Sequence, residues 1–163
     1  ADKVIVMAFG AVAQSGSPKQ IYRWPADKDI AELFGSPPIN LLPGRIISHT
    51  DGVARVQLEG GSEVSLPAYA KLPLLNSDVT LGIRPPHIKL TEAADNNIAA
   101  TVRQKRISGG KSILELDTPE GEIVALIEDT EASELTLHLP ADYCLLFDSK
   151  GDAIRRTAPK ARN

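Results

Sequence analysis

Apolar and polar residues alternate along several short stretches of the chain, and this two-residue period predicts β-strands with one buried face. The clearest example is residues 77–84, where Val79, Leu81 and Ile83 alternate with polar residues or glycine. That strand should end at Pro85-Pro86, because prolines cannot donate ladder hydrogen bonds. The other predicted strands are 3–9, 11–14, 45–48, 54–58, 64–66, 98–102, 114–116, 123–127, 135–139, 143–147 and 153–155.

A near copy of the strand at 77–84 begins at residue 133, so that Ser77 aligns with Ser133 and Leu81 with Leu137. We call the distance along the chain from Ser77 to Ser133 the repeat offset. Both copies read serine, acid, apolar residue, threonine and leucine, and a hairpin-like pair of strands precedes each. Alternating strands always resemble one another, but this agreement is tighter than alternation requires. We therefore predict two related β units from about residue 44 onward.

Two short helices are predicted ahead of the β-rich region, at about residues 18–24 and 28–34. The first begins with a capping box, because Ser17 can accept a hydrogen bond from the Gln20 N–H while the Gln20 side chain reaches back. The second has Asp27 as its N-cap. The end signals are Pro25 and Gly35, and the apolar residues expected to face the core are Ile21, Tyr22, Trp24, Ile30, Leu33 and Phe34.

The clearest boundary in the chain is Ser36-Pro37-Pro38, since two prolines cannot continue a helix. We therefore divide the chain into residues 1–38 and 39–163. The many short strands with regular turn signals predict a mainly β sandwich or barrel after a short α+β segment. Residues 67–76 should form a loop, 49–52 a turn, and 160–163 a disordered end.

Composition narrows the possible functions. The 163 residues are 42% hydrophobic and 24% charged, which is ordinary for one soluble domain with an appendage. The net charge of −3 and the 4% of aromatic residues argue against nucleic-acid binding, which needs basic stripes or stacking platforms. Cys144 is the only cysteine, so disulfide frameworks and thiolate metal cages are excluded. No apolar run has the length of a membrane span.

The start of the sequence suggests a piece of a longer protein. It has no initiating methionine and no signal peptide, and it enters a predicted strand almost at once. We therefore expect that an N-terminal part precedes Ala1 in the parent protein.

One motif imitates a phosphate-binding loop. Gly109-Gly110-Lys111-Ser112 matches the end of Gly-x-x-x-x-Gly-Lys-Ser, but Lys105 stands where the first glycine is required. The motif also runs into a predicted strand, whereas such a loop must open a helix whose N-terminus holds the phosphates. We interpret it as a hairpin turn.

Other candidate residues also favour structural roles. His49, His87 and His138 lack partners at metal-ligand spacing, and no serine lies on a Gly-x-Ser-x-Gly elbow. Cys144 is interpreted as a small core residue. A cluster of Lys105, Arg106 and Lys111 could bind an oxyanion, although the simpler interpretation is that these are surface charges exposed to solvent. The sequence contains no recognisable enzyme site.

Several short motifs occur in an order that is typical of one family. They lie at residues 1–6, 14–18, 21–22, 25–27, 34–37 and 40–44, at 81–85 with His87, and at 139–140 with Cys144, 146–147 and Gly151. Together they resemble the C-terminal portion of the ATP-binding subunit of bacterial ABC importers, of the maltose, multiple-sugar and glycerol-phosphate type. The resemblance covers nearly the whole chain.

The resemblance implies that residues 1–38 are the tail of the nucleotide-binding cassette. Residues 39–163 would be a regulatory β domain with OB-like strands, often called TOBE. The phosphate-binding loop, signature motif, Walker B carboxylates and switch histidine of the family would then lie before Ala1. We therefore expect no catalytic, cofactor or metal residues and no ATPase activity here, while the full-length protein would use ATP and magnesium.

The family also implies partners and a location. A second copy of the chain would form a dimer through edge strands and the loop at Pro85-Pro86-His87. Transmembrane permease subunits would bind the missing cassette on the cytoplasmic side of the bacterial inner membrane, and a regulatory protein is a further candidate partner. Two departures, Pro86 in place of an acid and an apolar turn near 8–11, leave the family's charged contacts in doubt.

Two functions from different classes remain open from the sequence. The first is regulation and dimerisation of a transport ATPase for sugars or related solutes. The alternative is a stand-alone domain that binds a small ligand such as an oxyanion, as similar domains in molybdate and sulfate systems do.

Overall fold

The computed structural model describes residues 2–67 and 69–157. The strands are β1 (Val4–Ala8), β2 (Ala11–Gly16), β3 (Asn40–Thr50), β4 (Val53–Leu58), β5 (Glu63–Leu66), β6 (Asp78–Ile83), β7 (Asn97–Ser108), β8 (Lys111–Thr118), β9 (Gly121–Ile127), β10 (Glu134–His138) and β11 (Leu145–Phe147). The helices are α1 (Pro18–Arg23), α2 (Lys28–Leu33), a first 3₁₀ helix (Pro85–His87) and a second 3₁₀ helix (Ala141–Tyr143). The predicted mainly β fold with two short helices is confirmed.

Both predicted helix starts have the predicted caps. The Gln20 N–H donates to Ser17 Oγ at 3.2 Å, and the Ser17 N–H donates to Gln20 Oε1 at 2.9 Å. Asp27 Oδ1 accepts from the Ile30 N–H at 2.8 Å. These bonds satisfy amide groups that the first turn of a helix leaves without partners.

The core-facing residues of the helices were predicted only in part. Ile21 and Ile30 are buried, but Trp24 is 50% exposed and Leu33 is 70% exposed. Each helix is short, so Trp24 lies beyond the end of α1 and Leu33 is the last residue of α2. In α2 the buried side is completed by Ala31 instead.

Several strand boundaries also differ from the prediction. β3 is longer than the predicted strand at 45–48, because its first residues pair with β6, which sequence periodicity does not show. The predicted turn at 49–52 contracts to Asp51 and Gly52, whose φ angles are 53° and 76°. Tyr143 belongs to a 3₁₀ helix and not to a strand, since its N–H donates to the Pro140 carbonyl at 3.0 Å.

The end of the chain also departs from the prediction. Within the predicted strand at 153–155, only Ala153 forms a bridge. The predicted loop at 67–76 is irregular in the part that the structure describes. The predicted disordered end, 160–163, lies outside the described residues.

The two predicted β units have the same topology. The first has the strand order β6-β3-β4-β5 and the second β10-β7-β8-β9, and all pairings are antiparallel. In both, the fourth strand lies beside the first, which is a Greek key. The internal duplication that the sequence predicted is therefore confirmed by the strand order.

Each unit also contributes a segment to the other. After the second 3₁₀ helix, β11 pairs with β6 and places Leu145 opposite Gly82. After the first 3₁₀ helix, Lys89 pairs with His138 in β10. Gly82 and His138 are separated by the repeat offset, as are Lys89 and Leu145, so the exchange follows the sequence repeat.

A single hydrophobic core joins the two units. It takes buried residues from both, among them Ile46 and Val56 from the first and Leu114 and Leu137 from the second. A smaller cluster of Ala31, Ile39 and Phe147 packs α2 against β3 and β11. The α+β segment is therefore attached to the side of the first unit.

Two buried asparagines join the units by hydrogen bonds, and Asn40 is the first. It lies at the start of β3 and is 8% exposed. Its Nδ2 donates to the Ile83 carbonyl at 3.1 Å and to the Val124 carbonyl at 2.9 Å. Its Oδ1 accepts from the Val124 N–H at 2.8 Å. Since Val124 is in β9, an amide of the first unit caps an outer strand of the second.

Asn96, one repeat offset after Asn40, repeats this arrangement in the opposite direction. Its Nδ2 donates to the Ser65 carbonyl at 3.1 Å and to the Leu139 carbonyl at 3.2 Å. Its Oδ1 accepts from the Ser65 N–H at 2.8 Å. Ser65 is in β5, so the second unit caps the first in return. Each amide satisfies three backbone groups that burial would otherwise leave unpaired.

We expect Asn40→Ala to lower the free energy of unfolding by about 2–4 kcal/mol, because it leaves a buried carbonyl of Ile83 and partly buried backbone groups of Val124 without partners. Urea denaturation measures this loss. Asn97→Ala is the matched control, since within the described residues the Asn97 amide bonds only to Ala93, four residues away. An equal loss in the two variants would contradict the role of Asn40.

Gly82→Val should lower the free energy of unfolding by about 1–3 kcal/mol through overpacking. A Cβ atom at this position would lie 3.0 Å from Phe147 Cε2 and 3.1 Å from Ile39 Cδ1. Thermal unfolding measures the effect. An unchanged melting temperature would show that these neighbours can move aside without loss.

Candidate functional site

The candidate cluster of Lys105, Arg106 and Lys111 does not converge in the structure. Lys105 Nζ lies 2.9 Å from Asp129 Oδ1, and this hydrogen bond raises the pKa of Lys105. Arg106 is the next residue of β7, so its side chain points to the opposite face of the sheet. With one cation neutralised and the next directed away, the three side chains do not form an oxyanion site.

The Gly-Gly-Lys-Ser motif is the predicted hairpin turn. Gly109 and Gly110 have φ angles of 58° and 80°, the left-handed geometry of a two-residue turn between β7 and β8. Lys111 begins β8 and not a helix. The motif therefore lacks the helix N-terminus that a phosphate-binding loop requires.

The histidines each contact a group of the chain itself. His49 Nε2 lies 2.8 Å from the Tyr69 carbonyl oxygen, and His138 Nδ1 lies 2.9 Å from that of Asp95. The His87 ring stacks on Tyr143 with ring centres 4.2 Å apart. Within residues 2–67 and 69–157, no three metal-ligating side chains come together.

Cys144 is the core residue that the sequence predicted. It is fully buried, and its Sγ lies 3.8 Å from the Leu139 carbonyl oxygen. Burial raises the pKa of the thiol to about 12. The thiol is therefore protonated at neutral pH and is not a nucleophile.

A buried charged residue, Arg84, lies at the junction between the α+β segment and the β units. Arg84 is the last polar position in the alternation predicted for residues 77–84 and was expected on the polar side, but it is 2% exposed. Its guanidinium donates to the carbonyls of Tyr22 at 2.9 and 3.2 Å, Ala31 at 3.1 Å and Phe34 at 2.5 Å. One side chain thus holds the C-terminal ends of both α1 and α2, where a cation is favoured.

Rings and guanidinium groups continue from this arginine through the junction. Arg84 lies 4.0 Å from the centre of the Tyr22 ring, and Tyr22 meets the edge of His87 at 6.1 Å. His87 stacks on Tyr143, and the Arg23 guanidinium lies 5.1 Å from the Tyr143 ring and 4.0 Å from that of Trp24. We call this set the junction ladder: Arg84, Tyr22, His87, Tyr143, Arg23 and Trp24.

The junction ladder also obeys the sequence repeat. His87 and Tyr143 are separated by the repeat offset and occupy the last position of the two 3₁₀ helices. Their stacking therefore joins equivalent points of the two β units, and α1 packs on both through Tyr22 and Arg23. The sequence pattern did not indicate that His87 stacks on Tyr143, although the repeat offset between these two residues could have predicted it.

The arginines of the junction have no direct ion pair. Among the described residues, no carboxylate lies within ion-pair distance of Arg23, Arg84 or Arg156. Burial lowers the pKa of His87, and the positive charges of Arg23, Arg84 and Lys89 lower it further. His87 is therefore neutral at pH 7, as a ring stacked among cations must be.

The outer strands of the β units have partners that limit pairing with another chain. This arrangement weakens the expectation that a dimer forms by pairing edge strands. The loop at Pro85-Pro86-His87, where a dimer contact was expected, already makes contacts within the chain, since Pro85 is buried and His87 stacks on Tyr143. Each outer strand is contacted by one residue from another part of the chain. These residues are Asn96 at Ser65 of β5, Asn40 at Val124 of β9, Lys89 at His138 of β10, and Ala153 at Phe147 of β11.

Family descriptions match the two β units. Residues 35–88 match the MalK OB fold domain, and residues 81–147 match the TOBE domain. No helix in the described ranges has the length and apolarity that crossing a bilayer requires.

Relatives of known identity match almost the whole chain. It is 30% identical over 164 residues to the maltose/maltodextrin import ATP-binding protein MalK of Salmonella typhimurium. It is 31% identical over 166 residues to MalK of Escherichia coli O6:H1. Each match covers 96% of this chain and 44% of the relative. The chain therefore spans less than half the length of the curated relatives it matches.

A solved structure with a similar fold is the cytoplasmic molybdate-binding protein ModG with molybdate bound. The TM-score is 0.56, and the match covers 66% of this chain and 94% of that chain. The sequence identity is 14%, so the likeness shows the fold alone.

Arg84→Lys should loosen the junction, because one ammonium group cannot reach the three carbonyls that the guanidinium binds. We expect the free energy of unfolding, followed by Trp24 fluorescence in urea, to fall by about 2–4 kcal/mol. Arg103→Lys is the control, since Arg103 is in an exposed ion pair with Glu122. An equal loss of free energy in the two variants would contradict a special role of Arg84 at the junction.

Stability should fall as the pH is lowered from about 6.5, because the folded state resists protonation of His87 and the unfolded state does not. This contribution is present above the unfolded pKa of 6.5 and is lost as the pH falls through the lower folded value. Unfolding curves of the wild type and His87→Gln between pH 7.5 and 5 measure it. A ring titration at or above pH 6.5 in proton NMR would contradict the assignment.

Proposed function

Because residues 35–147, more than half of the chain, belong to the MalK OB fold domain and TOBE domain families, we propose that the chain regulates a transport ATPase. It would be the C-terminal regulatory and dimerisation part of the ATP-binding subunit of an ABC importer for sugars or related solutes. The observation that carries this proposal is the match to MalK over 96% of the chain. In the full-length protein, ATP and magnesium would bind in the region that this chain does not include.

The junction supports a coupling role. Residues 1–38 would be the end of the nucleotide-binding cassette, and Arg84 fixes this segment to β6. A movement of the cassette would therefore pass to both β units through α1 and the junction ladder. The regulatory domain would sense the state of the cassette by this connection.

The exposed face of the β1–β2 hairpin supports the same assignment. Ile5, Met7 and Val12 are each more than half exposed, and Phe9 at the turn is fully exposed. Apolar side chains grouped on one small sheet usually have a partner surface. We propose that the preceding cassette covers them, and that the cassette binds the permease subunits on the cytoplasmic side of the inner membrane.

We further propose that the β units take part in a two-fold contact with a second copy of the chain. A cyclic dimer uses the same patch on both copies. Since the outer strands are already capped, the contact would use side chains and not backbone pairing. Without the cassette this patch should be smaller than the roughly 1,200–2,000 Å² of a stable interface.

We expect a weak dimer in analytical ultracentrifugation, visible only at high concentration. Phe9→Ser with Met7→Ser is the control, because it removes the apolar hairpin surface without touching the β units. Dimerisation should persist in this variant. A strict monomer at the highest concentration, or a dimer lost with the hairpin residues, would show that the β units do not carry the contact.

The second candidate function is the binding of a small ligand, and the fold shared with ModG supports it. Thermal-shift measurements with molybdate, sulfate and maltose would separate it from a purely structural role. A stabilisation that depends on concentration favours ligand binding. Dimerisation without any such shift favours the regulatory function alone.

A further inference from the structure

A cleft of about 880 Å³ lies where residues 24–26 and β2 face β11 and the segment 152–157. Its volume is within the range of small-molecule sites, roughly 300–1,000 Å³. The buried residues Cys144, Leu146 and Phe147 form part of the apolar lining. The exposed Trp24 is at one side of the cleft and the buried Tyr69 also lines it.

Two arginines line this cleft, and one of them is fixed in place. Arg156 donates to the Asp142 carbonyl at 3.2 Å and the Cys144 carbonyl at 2.6 Å, and also to that of Ala141. Arg155 beside it is exposed, and among the described residues no carboxylate pairs with either. The two arginines therefore bring positive charge to the cleft without a direct ion pair, although Asp152 also lines it and the net charge of the protein is −3.

The remaining polar lining suits a hydroxylated ligand. Asp152 lines the cleft, where its carboxylate can accept a hydrogen bond from a hydroxyl group. The Trp24 ring offers an apolar face beside it. Gln14 is less available, because its amide already bonds to Trp24 and Ala26.

We propose that this cleft binds a small phosphate-bearing molecule, with the phosphate group at Arg155 and Arg156 and the organic part against Trp24. Guanidinium groups match phosphate oxygens in charge and geometry, which favours phosphate over a neutral solute. The proposal deepens the second candidate function and rests on it. It does not use the Lys105 cluster or the dimer contact.

Trp24 is the only tryptophan, so its fluorescence reports directly on the cleft. We would titrate the whole chain with glucose 6-phosphate, inorganic phosphate and glucose, and repeat each titration by calorimetry. Saturable binding of either phosphate compound supports the site, and the stronger of the two shows whether an ester or free phosphate is the ligand. Equal binding of glucose, or no saturation by either method, overturns the proposal.

Arg155→Gln tests the location, because Arg155 is exposed and has no hydrogen bond in the described structure that folding would lose. We expect its apparent Kd for the bound phosphate compound to rise about tenfold. Arg103→Gln is the control and should leave the Kd unchanged, because Arg103 in β7 does not line the cleft and pairs with Glu122. Equal effects of the two variants would show an unspecific charge effect and overturn the site. Ultracentrifugation of the same samples keeps this result separate from dimerisation.

Discussion

The fold depends on two buried asparagine amides that act in opposite directions across the chain. Asn40 and Asn96 each accept one and donate two hydrogen bonds, and each caps an outer strand of the other β unit. A buried backbone group without a partner costs about 1–3 kcal/mol. Separating the two units would therefore cost free energy, because these groups would lose their hydrogen-bond partners. The shared hydrophobic core then follows, because the amides fix how the two Greek keys face each other.

The junction with the α+β segment is built on this paired body. Arg84 follows β6 directly and takes its position from the sheet that Asn40 helps to hold. Its guanidinium fixes both helix ends, and His87 stacks on Tyr143 at equivalent points of the two units. A change in the helices would therefore reach both β units together, which is the mechanical basis of the proposed regulation.

The internal repeat and the caps of both helices could be predicted from sequence, because they depend on local chemistry and periodicity. The roles of Asn40 and Asn96 could not, since a polar residue next to a strand looks like a loop residue until its long-range partners are known. Arg84 was placed on a polar face for the same reason. For the cationic cluster, the sequence favoured solvated charge over an oxyanion site, but it did not show that Lys105 pairs with Asp129, which is distant in sequence. The local sequence pattern thus carries no information on contacts between residues that are distant along the chain.

The reciprocal amides should make the two β units one cooperative body. Native-state hydrogen exchange of the Val124 and Ser65 N–H groups tests it directly, because each donates to one of the two asparagines. We predict that both exchange with the same free energy, equal to that of global unfolding. If either exchanges through a local opening at least about 1.4 kcal/mol lower, a tenfold faster rate, the units open separately and the claim is contradicted.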